Sequence, residues 1–229
     1  LEIAGVTKDT PDDLHSPYGR DEHGQPNGVL TGGKAIGSVA KHATMSKNID
    51  LVSSSLKVIK RANRLGITMF CDQATGMTRG TKEIDVYHAI AKSGQLTARL
   101  RYSLSYGIQE KWDATGIACG DGDELVRCTT WKIVSDGSNQ GFSGLQRKPY
   151  LYRDDKGIPY VEPTELKLMV MDRARKGWAL AIHANGDKAI DNTLDAYEAA
   201  FEAGLLKNTP CRIEHCSILH DDQIERIAK

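Results

Sequence analysis

The sequence predicts an α/β protein built on a parallel sheet. Short apolar runs recur near residues 67, 96, 128, 179 and 211, each bounded by glycine, proline or polar turn residues. Segments with apolar residues at helical spacing lie between them. The runs are roughly 30 to 50 residues apart, the length of a βα unit with a right-handed crossover. The alternation fits either a five-stranded open sheet or the middle of a (β/α)8 barrel, and by itself it leaves both open.

Residues 1–45 read as irregular. Gly19 to Leu30 holds three glycines and a proline, which suits a small hairpin, and His15 and His23 read as solvated. The α/β unit is expected over 46–229. A first helix carries Leu51, Ser55, Val58, Ile59, Ala62 and Leu65 on one face and stops at Gly66. Ile67–Asp72 reads as a strand, 82–93 as a helix facing inward through Ile84, Tyr87, His88 and Ala91, and Gln95–Leu104 as the next strand. Glycines 116, 120 and 122 break any long helix in 108–125. The third strand is Arg127–Val134. The long stretch from there to Pro159 is expected to be a functional loop over a site. Pro163 opens a helix that Gly177 closes, and a strand then ends at His183. A helix over 187–203 presents Ile190, Leu194, Tyr197 and Phe201, the strand 211–216 follows, and a last helix begins near Asp221.

Lysine plus arginine equal aspartate plus glutamate at 30 each, and 40% of residues are hydrophobic. That balance argues for a sizeable core and against nucleic acid as a partner. No apolar run approaches the roughly 18 residues of a membrane span. Five cysteines form no CxxC pair, and their odd number suits reduced, mostly buried thiols in a cytoplasmic protein. The opening Leu1 and the closing Ala228-Lys229 give both ends the look of cuts.

The chemistry concentrates at three strand ends. Lys132, His183 and His215 are separated by 51 and 32 residues, one βα unit each once the long loop is allowed for. Side chains at the carboxyl ends of parallel strands face the crevice where ligands bind. Neutral imidazole is the commonest metal ligand. An ordinary lysine ammonium cannot join it, but burial lowers the lysine pKa, and the free amine can take up carbon dioxide as a bridging carbamate. A cysteine-nucleophile site pairing Cys216 with His215 is disfavoured, because adjacent strand residues point to opposite faces.

The phrases His183-Ala-Asn-Gly-Asp187-Lys-Ala-Ile-Asp191, Arg212-Ile-Glu-His215 and Trp131-Lys-Ile-Val-Ser-Asp-Gly-Ser138 resemble the amidohydrolase superfamily, and most of all its family 3. Leu1–Pro11 and Gly24–Leu30 are similar to the stretch that precedes the barrel in that family, and Gly66-Ile-Thr with Asp72 to its second strand. The resemblance implies a TIM-type (β/α)8 barrel, incomplete, with about strands 2–6 present. It implies one or two divalent metals, usually zinc, with His183 and His215 as ligands and Lys132 as a carboxylated bridging residue. Asp136 and Ser138 would border the substrate pocket. Asp187 and Arg212 would serve from behind the ligands, Asp187 by capping its helix. The implied reaction is hydrolysis of amide or related C–N bonds in a small molecule. The superfamily's His-x-His and its strand-eight aspartate base have no counterpart in these 229 residues. The resemblance therefore implies a fragment with no catalytic base and an incomplete site. The alternative is a non-catalytic barrel akin to regulators of exoenzyme production. Open sheet edges predict a homodimer.

Overall fold

The computed structural model describes residues 1–42, 49–207 and 209–229. The expected boundary at 45/46 lies outside the described residues. In the N-terminal segment the expected hairpin forms as β1 (Tyr18–Arg20) against β2 (Pro26–Leu30), antiparallel. The rest of that segment is less irregular than predicted, since α1 spans Gly32–Ala40. Three glycines in GGKAIGSVA hid it, as glycine is a poor helix former. His15 also departs from expectation. Its Nδ1 lies 2.7 Å from the Pro159 carbonyl, so it pins the N-terminal segment to the long loop instead of standing in solvent.

The α/β unit begins with α2 (Leu51–Asn63), whose N-cap Asp50 accepts a hydrogen bond from the Ser53 amide. Its buried stripe is Leu56, Ile59 and Ala62, while Val58 and Leu65 are exposed, so the predicted face was rotated. Then follow β3 (Met69–Thr75), α3 (Glu83–Lys92), β4 (Arg99–Ser105), α4 (Gln109–Thr115), β5 (Val126–Val134), α5 (Pro163–Arg175), β6 (Leu180–Ala184), α6 (Asp187–Glu202), β7 (Cys211–His215) and α7 (Asp221–Ile227). The inward residues of α3 are Ile84, Tyr87 and Ile90 rather than His88. Among the described residues no helix is long and apolar enough to cross a membrane.

The sheet has five strands in the order β3-β4-β5-β6-β7, and every pairing is parallel. It curls into a half-barrel, which resolves the two sequence alternatives in favour of an incomplete TIM-type barrel. One face packs under the helices: Trp131 and Ile133 of β5 and Leu180 and Ile182 of β6 are at most 1% exposed and share a core with Leu166 and Val170 of α5 and Ala196 and Ala200 of α6. The Arg173 guanidinium lies 4.0 Å from the Trp131 ring centroid and pairs with Asp113 of α4, so even this cation is absorbed by the helical layer. Phe201, predicted to be buried on α6, is exposed beside β7, an edge strand of the sheet. All five cysteines are free, yet only Cys128 is fully buried, so the expectation of mostly buried thiols fails.

Candidate metal centre at the strand tips

Register fixes which side chains share the inner face. Lys132 pairs with Ala181 and Ala181 with Arg212, while Val134 pairs with His183 and His183 with Glu214. Side chains alternate along a strand. Lys132, His183, Arg212 and Glu214 therefore lie on the face opposite Trp131 and Ile182. By the same alternation His215, paired with Ala184, belongs to the helical side.

It does not go there. His215 has φ 72° and Cys216 φ 50°, both in the left-handed region that non-glycine residues avoid. The Cys216 amide donates to the Glu214 carbonyl two residues back at 3.0 Å, closing a tight γ-turn around His215. The turn swings the His215 imidazole onto that of His183, with ring centroids 4.5 Å apart and planes at 74°. Cys216 goes the other way and packs against Ala184, Ala189, Ile190 and Leu194, where burial raises its thiol pKa. No geometry for a His215–Cys216 nucleophile pair arises.

His183 is held from behind. Its Nε2 lies 2.9 Å from the Gly137 carbonyl and 3.3 Å from Asp136 Oδ1. With the proton on Nε2, donated to that carbonyl, the lone pair is on Nδ1, which has no hydrogen-bond partner among the described residues. A second ring nitrogen tied to a carbonyl is how ligating histidines are set. His215 loses affinity for a proton, first through burial and then through the neighbouring His183 and Lys132.

Lys132 is 4% exposed and forms no hydrogen bond or ion pair among the described residues. Burial dominates its titration and pushes the ammonium down to about 8, against the opposing pull of Glu214. A buried amine without a counter-ion, on the same face as a histidine and beside another, is costly in a purely structural role and points to a site.

Asp136 anchors backbone. It is fully buried, and its carboxylate accepts hydrogen bonds from the backbone amides of Leu145 (2.9 Å), Asn185 (3.0 Å) and Gly186 (2.9 Å). It thereby ties the end of β5 and the long loop to the turn between β6 and α6. The Leu145 carbonyl in turn accepts from Lys188 and Ala189 at the start of α6. A Cβ at position 186 would strike that carbonyl, which is why glycine stands there. Arg147 extends the clasp with ion pairs of 2.6 Å to both Asp191 and Asp222. The loop is thereby bolted over the tips of β5 and β6.

The remaining candidates have local duties. Ser138 is exposed, and its hydroxyl accepts from the Gly141 amide inside the loop. Asp187 does not cap its own helix; Gly186 is the N-cap, and the Asp187 carboxylate accepts from the Arg147 amide (2.7 Å) and pairs with His220 Nε2 (2.9 Å). Arg212 forms an ion pair with Glu214 at 2.9 Å. Sequence reading missed Glu214 and Asn185. Glu214 was legible, since a residue two positions from Arg212 shares its face. Asn185 was signalled only by a polar residue directly after a buried strand.

Among the described residues no three histidine, cysteine, aspartate or glutamate side chains cluster to hold a metal ion. The convergent donors are two imidazoles with a buried amine beside them. That set fits a divalent metal as part of a coordination shell, short of the four donors of a closed site.

Similarity to known proteins bears on the family and the fold. A family model described as "Amidohydrolase family" matches residues 1–229. YtcJ of Bacillus subtilis (strain 168) is 23% identical over 244 residues, covering all of this chain and 42% of the relative. Protein LONG AFTER FAR-RED 3 of Arabidopsis thaliana is 26% identical over 243 residues, covering all of this chain and 40% of its own length. The chain thus spans about two-fifths of the curated relatives it matches. Crystal structures of uncharacterized metal-dependent hydrolases superpose with TM-scores of 0.71 (Pyrococcus horikoshii OT3, 24% identity, 99% of this chain and 43% of that one) and 0.70 (Pyrococcus furiosus, 22% identity, 99% and 44%). These likenesses establish the fold.

Proposed function

Starting from a chain that belongs to the amidohydrolase family, we propose that its strand-tip pocket is part of a metal-dependent hydrolytic site acting on amide or related non-peptide C–N bonds of a small molecule. The observation that carries the reading is the γ-turn at His215. A strained backbone is retained where it brings the His215 ring to 4.5 Å from His183.

In this reading His183, through Nδ1, and His215 hold a divalent cation, zinc by preference for imidazole donors. Such a cation supplies Lewis-acid polarisation of a carbonyl and brings the pKa of water to about 7. The chain's own residues set the stage. Gly137 and Asp136 keep the His183 proton on Nε2. Lys132, with its amine pushed down to about 8, releases a proton at Nζ more readily than an ordinary lysine. The free amine can then combine with carbon dioxide, losing one proton, to give a carbamate whose oxygens are further donors.

The test is zinc binding followed by competition with a chromophoric chelator, together with turnover of N-formyl and N-acyl amides. Tight binding that His183→Ala and His215→Ala each weaken by at least tenfold, and amide turnover suppressed by chelation, support the reading. Absence of zinc binding by the wild-type chain, or turnover indifferent to chelators, overturns it.

A further inference from the structure

All four hydrogen-bonding groups of Asn185 are engaged, and they tie the end of β6 to the ends of β5 and β7. The backbone amide donates to the Asp136 carboxylate after β5. The backbone carbonyl accepts from the Ile218 amide after β7 and from Asn139 Nδ2 of the loop. The side-chain Nδ2 donates to the Gly137 carbonyl at 2.8 Å, and the side-chain Oδ1 accepts from the Ser217 hydroxyl at 2.6 Å. Asn185 is 9% exposed, so these bonds form away from bulk water, where leaving one unmade is costly.

Its position relative to His183 is specific. Gly137 O, Asn185 Nδ2 and His183 Nε2 form a triangle with sides of 2.8, 2.9 and 3.1 Å; with the proton on Nε2 the 3.1 Å side is a contact between two donors, and both N–H groups point at the oxygen. The carbonyl oxygen has two lone pairs, one for each donor. With the asparagine amide on one of them, the imidazole is confined to the other, and its Nε2–H has a single direction to point. The oxygen end of the same amide holds Ser217, two residues beyond His215. One side chain therefore joins the carbonyl that orients the first histidine to the loop that carries the second.

We propose that Asn185 is a positioning residue that fixes the ring of His183 through the shared Gly137 carbonyl and locks its distance to His215 through Ser217. Any residue of similar size would fill the turn, and an aliphatic one would keep the two backbone connections. Only a carboxamide offers a donor to Gly137 and an acceptor to Ser217 at once. Aspartate would keep the acceptor but turn an oxygen toward the Gly137 carbonyl. The proposal rests on the reading of the two histidines as a ligand pair, and its test has one arm that needs no metal.

In the metal-free arm, the 15N shifts of the His183 ring report its tautomer in wild type, Asn185→Leu and Ser217→Ala, each first checked for a cooperative melt. Wild type should show the Nε2–H form alone. Asn185→Leu should show a mixture of tautomers, and Ser217→Ala, a milder change, should retain the Nε2–H form. In the metal arm, zinc affinity should fall about 10- to 100-fold in Asn185→Leu, the range for residues that support ligands from behind. It should fall less in Ser217→Ala, and the two effects should be non-additive in the double variant, since both cut one bridge. A folded Asn185→Leu protein whose His183 shifts and zinc affinity match wild type overturns the proposal. If wild type binds no zinc, the ligand reading fails and the 15N arm alone decides the role of Asn185. Should Asn185→Leu not fold, Ser217→Ala decides: zinc affinity within twofold of wild type, or for a wild type without zinc binding an unaltered His215 ring spectrum, overturns the bridge.

Discussion

Replacing Asp136 by alanine should be among the most damaging substitutions in the chain. Its carboxylate is 0% exposed and accepts from three backbone amides at 2.9 to 3.0 Å. Each hydrogen bond to a charged acceptor contributes about 1.5–3 kcal/mol, and each buried amide left without a partner costs about 1–3 kcal/mol. Against this stands the relief of no longer burying a carboxylate, an effect of several kcal/mol. Taking the low end for all three bonds, the net loss is about 3–5 kcal/mol. For a chain of 229 residues that lowers Tm by about 10 °C. Asp136→Asn keeps the shape but turns an N–H toward donors, so it should fall in between. Urea melts give the energy, and amide exchange at Leu145, Asn185 and Gly186 gives the location. An alanine variant within about 1 kcal/mol of wild type, with those three amides still protected, would refute the clasp.

Three further outcomes follow from the same geometry. Gly186→Ala should detach the loop from α6, because the new Cβ meets the Leu145 carbonyl; proteolysis within 138–158 should accelerate while the sheet stays intact. Lys132 is folded with a pKa near 8, below its ordinary 10.5, so the unfolded chain binds more protons between those values. In chelator, wild-type stability should therefore rise relative to Lys132→Met as pH climbs from about 8 to about 10, and a flat difference would mean that the amine is hydrated. The Arg173 guanidinium, with Lys176 in support, holds the Asp113 carboxyl at about 2, below 3.8. Its stabilisation is present above about pH 4 and is lost as pH falls toward 2. Because that carboxylate is partly exposed, the gap between wild type and Asp113→Asn should be no more than about 1 kcal/mol at neutral pH and should close in acid.

The barrel class was legible because its signal is redundant. Apolar runs such as Ala179–Ile182 are buried on both faces and read as parallel strands whatever their exact ends, and Gly66, Gly177 and Gly204 mark helix stops through their positive φ. Phase was harder. Val58 and Leu65 fit a helical stripe as well as Leu56 does, and only the neighbours on α3 decide between them. At the site, the identities of Lys132, His183 and His215 could be read from their places at strand ends, but the way His215 reaches His183 could not. Strict alternation sends it to the helices, and only a left-handed turn that no side chain announces brings it back. Contacts distant in sequence stayed invisible for the same reason. Nothing local to Arg147 foretells Asp191 and Asp222, and nothing local to Asp136 foretells the amides of 145, 185 and 186.

The most direct test of a shared metal centre is zinc K-edge absorption on the zinc-loaded chain. The account predicts two imidazole scatterers at about 2.0 Å, falling to one in His183→Ala and to one in His215→Ala. A zinc ion with no imidazole in its shell, or a shell unaltered by both substitutions, would contradict it.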